Sequence, residues 1–571
     1  MEENKPLLES NKQNNSGGFK TLSCIIANES LEKAATFGLS ANMILYLENE
    51  YHMGLVTGTN IINLWGAASN FLPVPAAFLA DSTVGRYPMI AVGSMFSLLG
   101  MILVWLTTMI TQARPPTCDV NTTQCNSSTV FQVIFLCFSL GLTSIGAGGI
   151  RSASMAFGAD QFVKRCNKEK SLAALETYFG WYYVASAVAV IISLTFVAYI
   201  QEHSGWQVGF GVPAVFMLLG VLLFFSASSS YIRSQDKSSL FTSFFQVISA
   251  SYKNRHFTSA LGKDNVYNHK KESELVVPSE KLRFLNKACI VREPERYLTA
   301  DGDIMDPWSL CTVDQVEEFK AILKVIPMWS TGVLMSVTLS QGSLQLVQAL
   351  SMNRHITSSF EIPAASLGVF TFISAISSIV LYDRMIVPLA SRIMGKPFHL
   401  TSKTKMGIGI LLSILSMVVL AFIEYIRRGI ASKQEFSEAI VTMSVLWLIF
   451  PNCLIGMAEA INAVGQCEFF YSEFPKSMSS IGSTLRGLTF TVGGLVATAM
   501  LNIIDQVTIG RGKPSWISSN INQGHYDYYF LMVAGMCVVN MLYFLLCSWA
   551  YGPCELVAVN DSREDDETGD N

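Results

Sequence analysis

Long apolar runs separated by short polar joints dominate the chain. Twelve runs stand out, at roughly 26–47, 57–80, 88–111, 131–157, 177–200, 207–228, 317–340, 364–383, 406–427, 441–464, 480–504 and 528–551. Each is close to the roughly 20 residues that a helix needs to cross a hydrocarbon core. Lipid satisfies no free backbone N–H or C=O, so each run is predicted to be helical. Alternating segments of about ten residues, the mark of a membrane barrel, are not the pattern here. The expectation is an all-α membrane protein of twelve transmembrane helices.

The polar positions divide the chain. A polar N-terminal tail fills 1–25, six runs fill 26–229, a charged stretch fills 230–316, six more runs fill 317–551, and an acidic tail fills 552–571. Six spans, a linker and six spans predict two six-helix bundles that rock about a site near the bilayer midplane. Within the linker, Lys281-Leu-Arg-Phe-Leu-Asn-Lys-Ala reads as an amphipathic helix lying on the membrane surface. The N-terminal tail has no cleavable signal pattern. It does hold Glu3-x-x-x-Leu7-Leu8, the form of an acidic dileucine sorting signal.

Positive charge sets the expected orientation. Lys164, Arg165, Lys168 and Lys170 follow the fourth run; Arg384, Arg392, Lys396, Lys403 and Lys405 follow the eighth. The joints after the first and fifth runs carry no Lys or Arg, although Arg427, Arg428 and Lys433 weaken the bias. Both termini are therefore expected in the cytoplasm. The joint after the third run then lies outside, with sequons at Asn121 and Asn126. Cys118 and Cys125 share it, two thiols that can pair in an oxidising compartment or stay free.

Composition narrows the class. Half of the 571 residues are hydrophobic and 14% are charged, against about a quarter charged in soluble proteins. A net charge of −4 advertises no nucleic-acid partner. The twelve Cys mostly lie in apolar runs, not in a disulfide framework. No Walker A sequence is present, so ATP is not the expected energy source. No cofactor and no metal site is expected, and the chain reads as a carrier, not an enzyme. Its expected partners are protons, a small-molecule substrate and the bilayer.

Charge inside a span is costly and functional by default. All seven His lie outside the twelve runs, so proton handling falls to carboxylates. Glu29 and Glu32 share one face of the first helix, with Lys33 beside them. Two such acids cannot both ionise freely, so the charge of this cluster depends on how many protons it holds; an ordinary first-turn acid pair is the plainer alternative. Glu459 lies deep in the tenth run, otherwise free of charge. Arg151 in the fourth run is its natural partner, and a Glu459–Arg151 pair would tie the two halves until protonation released it. Lys324 either faces an anionic substrate or the first-helix acids, or snorkels to the interface. Tyr178 and Trp181 either line a pocket or pack. Gly146-Ala-Gly148-Gly149 reads as a close helix approach.

Asp81-x-x-x-Gly85-Arg86 follows the second run, and Tyr382-Asp383-Arg384 follows the eighth, the matching place in the second half. Acid and Arg at such ends can lock one bundle against the other in one state, or simply anchor the interface.

The wording of these motifs resembles the proton-coupled oligopeptide transporter branch of the major facilitator superfamily, and within it the plant nitrate and peptide transporter family (NPF). The resemblance rests on Asn28-Glu29-Ser-Leu-Glu32-Lys33, Phe78-Leu-Ala-Asp81-Ser-Thr-Val-Gly85-Arg86-Tyr87, Gly148-Gly-Ile-Arg151 with Phe157-Gly-Ala-Asp-Gln-Phe162, and the 316–329 segment ending Pro327-Met-Trp329. Phe360-Glu-Ile-Pro363, Gly456-Met-Ala-Glu459 and Phe469-Phe-Tyr-Ser-Glu-Phe-Pro475 continue the series. It implies the major facilitator fold, proton-coupled symport, and a proton-handling role for Glu29, Glu32 and Lys33. The fourth-run position is usually Lys in that family and is Arg151 here.

The family carries nitrate, short peptides, hormones and metabolites such as glucosinolates. Its nitrate pocket uses a His where this chain has Leu339, which weighs against nitrate held that way and suits a larger amphipathic acid such as gibberellin or jasmonate. The overall wording nevertheless sits nearest the nitrate-redistributing members, so low-affinity nitrate is the first expectation. Arg151, Lys324, Leu339, Ser343, Tyr178 and Trp181 are the expected substrate-pocket residues. Met89 occupies a position where some members carry a phosphorylatable Thr. A channel would show pore-lining repeats or charge rings, which are not seen; a transport-inactive receptor is the other reading of a different class. The plasma membrane is expected ahead of the vacuolar membrane.

Overall fold

The computed structural model describes residues 19–116, 127–163, 168–233, 240–255, 267–269, 277–291, 304–358, 360–395, 398–433, 440–474, 479–509 and 514–552. The sequons at Asn121 and Asn126, the Cys118 and Cys125 thiols, and the Glu3–Leu8 motif lie outside the described residues, as does nearly all of the acidic tail.

The first half comprises α1 (Phe19–Ala41), α2 (Met43–Asn49), α3 (Leu55–Phe71), α4 (Pro73–Leu79), α5 (Arg86–Met109), α6 (Val130–Val163), α7 (Lys168–Ile192), α8 (Ala198–His203) and α9 (Gly205–Ser226). The linker contributes α10 (Leu240–Lys253) and α11 (Arg283–Asn286). The second half holds α12 (Val313–Ser330), α13 (Gly332–Leu339), α14 (Gly342–Leu350), α15 (Gly368–Leu381), α16 (Val387–Met394), α17 (Ser402–Lys433), α18 (Ile449–Glu473), α19 (Ser479–Thr508) and α20 (Tyr526–Tyr551).

Nine helices among the described residues are long and apolar enough to cross a membrane, and a tenth span is α12 with α13–α14, bent by 48°. The other two predicted runs are helical but do not form single long apolar helices. The first carries Glu29, Glu32 and Lys33 and breaks at Asn42 between α1 and α2. The second breaks at Leu72, because Pro73 and Pro75 donate no backbone N–H. The tenth run is corrected at its start. Val441–Ser444 is strand β4, parallel to β1 (Met352–Asn353), and α18 begins only at Ile449. A short hairpin of β2 (His355–Thr357) and β3 (Phe360–Glu361) stands beside β1.

Within the first half α5 packs on α6, and the glycines allow it. A Cβ at Gly146 would lie 2.3 Å from the Ser97 backbone nitrogen, and one at Gly149 would lie 2.9 Å from Gly93 Cα. The close approach read from the Gly146–Gly149 segment is therefore present.

The halves meet along α3 and α19. Asn60 donates to Asn502 at 2.8 Å, Thr491 donates to the Ala67 carbonyl at 3.3 Å, and Gly487 lies against the Asn70 carbonyl. At one end the closure is denser. The Leu55 N–H donates to Ser519 Oγ at 3.2 Å, and Arg354 bridges Glu202 of the first half and Glu361 at 2.5 and 2.6 Å. Ile44, Leu55 and Ala198 join one apolar core there with Met352, Val441 and Ile517.

The linker departs from its sequence reading. The amphipathic helix expected over 281–288 is the single turn α11: Leu285 and Asn286 are buried, Phe284 is exposed, and Leu282 takes a positive φ of 53°. The substantial linker helix is α10. Its Phe244 packs in the apolar cluster that holds Val325 and Met328 of α12, and its Val247 and Ala250 bury against Leu285, Cys289, Cys311 and Val316. Thr312 and Gln315 close a capping box at the start of α12. A polar clamp completes the attachment: Glu317 accepts from Ser279 Oγ at 2.8 Å, and Lys320 donates to Ser279 O at 2.8 Å and to Glu317 at 2.7 Å.

Candidate functional site

The acids of α1 project from one helical face into a buried cluster. Glu29 and Glu32 are 1% and 0% exposed, while Lys33 and Arg151 keep 23% and 21%. Arg151 of α6 grips Glu32 with both prongs of its guanidinium: Nε to Oε2 at 3.1 Å and Nη2 to Oε1 at 3.0 Å. Thr36 donates to the same carboxylate at 2.8 Å. Lys33 lies 3.3 Å from Glu29, donates to Ser186 of α7 at 3.0 Å, and sits 5.3 Å from the centre of the Tyr182 ring. Two acids thus face two bases in the first half alone. Ser186 and Tyr182 are members that the sequence reading missed.

The expected Glu459–Arg151 tie is not formed. Arg151 is occupied by Glu32, and Glu459 contacts Arg486 of α19, a residue of its own half. The physical reason is proximity: α18 and α19 are neighbours within one bundle. Arg486 is the one charged residue in the run 480–504, a signal open to the sequence reading and unused. Its guanidinium lies 5.7 Å from the centre of the Phe490 ring.

Lys324 engages Glu473 of α18 at 3.0 Å rather than the acids of α1, and the Tyr551 hydroxyl donates to the same carboxylate at 2.6 Å. The expected pocket residues separate. Tyr178 is buried and donates to the Ser154 carbonyl at 3.3 Å, with Gly158 making room for its hydroxyl. Trp181 is exposed. Leu339 packs with Met335, Ile455 and Ala458, beside Glu459. Ser343 is half-buried on α14, beyond a break at which Gln341 accepts from Tyr529 at 2.8 Å.

The two gate motifs are not equivalent. Arg86 holds Asp160 of α6 at 2.7 Å and Asp81 at 3.2 Å, and Gly85 takes the positive φ of 86° that the turn before α5 requires. Asp383 and Arg384 lie exposed in a wide helical turn, with no ion pair to them among those found in the described residues. A different charge pair was missed altogether. Glu424 and Arg427, one turn apart on α17, are both 0% exposed and joined at 2.7 Å, with Gln348 donating to Glu424 at 2.9 Å and Arg427 donating to Asn522 at 2.6 Å.

Long apolar helices with acid–base pairs held between them are the build of a membrane carrier. Residues 87–517 match the PTR2 family, described as the POT family, and the chain belongs to it. In Arabidopsis thaliana it is 48% identical to Protein NRT1/PTR FAMILY 1.2 over 96% of this chain and 93% of that protein. Protein NRT1/PTR FAMILY 1.1 of the same plant is 47% identical over 97% and 94%. Among solved structures, an auto-inhibited POT family peptide transporter superposes with a TM-score of 0.67 at 18% identity, covering 93% of this chain and 97% of that one. A peptide transporter POT in complex with sulfate gives 0.62 at 14%, covering 94% and 96%. The fold and family are those of transporters, not enzymes.

Proposed function

We propose that this chain is a proton-coupled symporter of a small anion, nitrate first, working by alternating access. In this reading twelve helices span the membrane, both termini are cytoplasmic, and the end closed by Arg354–Glu202 faces outward. The plasma membrane is its place.

The observation that carries the proposal is the two-bond Glu32–Arg151 pair. A guanidinium fork fits a planar oxyanion as well as it fits a carboxylate. While Glu32 is ionised, the fork is taken. A proton on Glu32 removes that competitor, and Arg151 then presents uncompensated positive charge to an anion while Lys33 stays beside Glu29. Proton and anion therefore bind together, and they leave together when Glu32 ionises again. A membrane potential opposes inward movement of a monovalent anion by about 2.3 kcal/mol per 100 mV. One proton cancels that opposition, and a second makes entry favourable.

A second reading, a carboxylate hormone or metabolite, is favoured by the apolar wall of Leu339, Met335 and Ile455. Short peptides follow from what the solved relatives are named for, and a channel or inactive receptor from neither. The test is uptake in oocytes at acid and neutral pH, with nitrate, gibberellin and a dipeptide side by side. Nitrate uptake that acid pH stimulates in the wild type, with most of that stimulation lost in E32Q, supports the first reading. Gibberellin uptake without nitrate current replaces it with the second.

A further inference from the structure

We propose that Arg486 is an anion ligand contributed by the second half, gated by Glu459 as Arg151 is gated by Glu32. The inference deepens the proton-coupled anion reading above and rests on it.

Position is the first argument. Arg486 stands next to Gly487, where a Cβ would meet the Asn70 carbonyl of the first half at 3.1 Å, so its helix turn is at the seam between the halves. Tyr183 of α7 is within electrostatic reach of Arg486, and its hydroxyl also contacts Met155 Sδ at 3.9 Å, one helical turn beyond Arg151. The two arginines therefore border the same inter-bundle region from opposite sides. Accessibility is the second. The Arg486 and Glu459 side chains keep 31% and 22% exposure although they lie within long apolar helices. Chemistry is the third. Setting a lone guanidinium in an apolar run is costly, and one carboxylate leaves donors of the five-donor fork free for a further acceptor.

Among the described residues, other polar groups lie near this pair. Cys467 and Tyr471 come from α18, and Tyr183 from α7, with Glu468 beyond Cys467. Glu459 is the acid in direct contact with Arg486. With both acids ionised, each pair is neutral. With one proton on each, the two halves present two uncompensated guanidiniums to a single anion. The balance per cycle is then two protons in with one monovalent anion, a net inward charge of one.

The experiment measures uptake kinetics for nitrate and gibberellin in wild type, R486A, R486K and E459Q/R486A, with surface expression quantified. The double variant guards against misfolding from an unpaired Glu459. For whichever anion the wild type carries, R486A and the double variant should raise KM about tenfold with kcat changed less than twofold, and R486K should recover most of the loss. An unchanged KM, with only the pH profile displaced, means that Arg486 merely neutralises Glu459, and overturns the inference. That failure is separable from failure of the parent reading: loss of acid stimulation in E32Q would persist. Wild-type uptake confined to the neutral dipeptide, with no anion carried, overturns both.

Discussion

Glu32 and Arg151 stand 119 positions apart in sequence and meet through two nearly equal hydrogen bonds, 3.0 and 3.1 Å. A carboxamide at position 32 keeps the shape and removes the charge. E32Q should therefore free Arg151 for its anion without a proton at position 32. Uptake should lose most of the acid stimulation seen in the wild type, and the protons carried per anion should fall from two to one. Radiotracer uptake at the two pH values, with proton influx followed in parallel, checks this.

The Glu424–Arg427 pair is fully buried, and Arg427 also anchors Asn522. Truncating one partner leaves an uncompensated charge and typically costs about 3–5 kcal/mol. R427M should lower the thermal unfolding midpoint of the purified protein markedly, and E424L/R427M should restore most of it. Equal midpoints for the single and double variants would refute the argument.

Gly146 has the Ser97 backbone where a side chain would go, whereas Gly141, five residues earlier on α6, has nothing within 4 Å. G146A should separate α5 from α6 and cost about 1–3 kcal/mol, the usual penalty of overpacking. G141A should be neutral or slightly stabilising, since alanine favours helix. Fluorescence-detected gel filtration after graded heating compares the two.

In the linker, burial pushes the thiols of Cys289 and Cys311 up to about 12. An unfolded thiol ionises near about 8.5. Between these values the unfolded chain has released protons that the folded linker keeps, so linker stability falls as pH rises through that window and is indifferent below it. Maleimide labelling resolved by mass spectrometry should leave both cysteines unmodified at neutral pH and reach them only on alkaline or thermal opening.

Local signals made much of the fold legible and left the pairings hidden. Run length announced α5, α6, α9, α17 and α20, because hydrocarbon demands an uninterrupted apolar stretch. Breaks depend on single residues: Pro73 was readable as one, and Pro327 and Gly332 flank the bend after Ser330. The linker helix α10 escaped because Thr242, Ser243, Ser249 and Ser251 give it a polar look, although Phe244, Val247 and Ala250 keep a helical spacing. At the site, Glu29, Glu32, Arg151 and Glu459 were each conspicuous as charges among apolar neighbours. Their partners were not, since which acid meets which base is decided by how α1, α6, α18 and α19 pack.

The clamp of Ser279 by Glu317 and Lys320, with α10 seated on α12, fastens the linker to the first turns of α12. Should the bundles tilt during a turnover, that linker is passenger luggage of the second one. A fluorophore placed on its exposed Tyr252 would then report the swing of that bundle as a ruler read from outside the bilayer, without disturbing the pathway it measures.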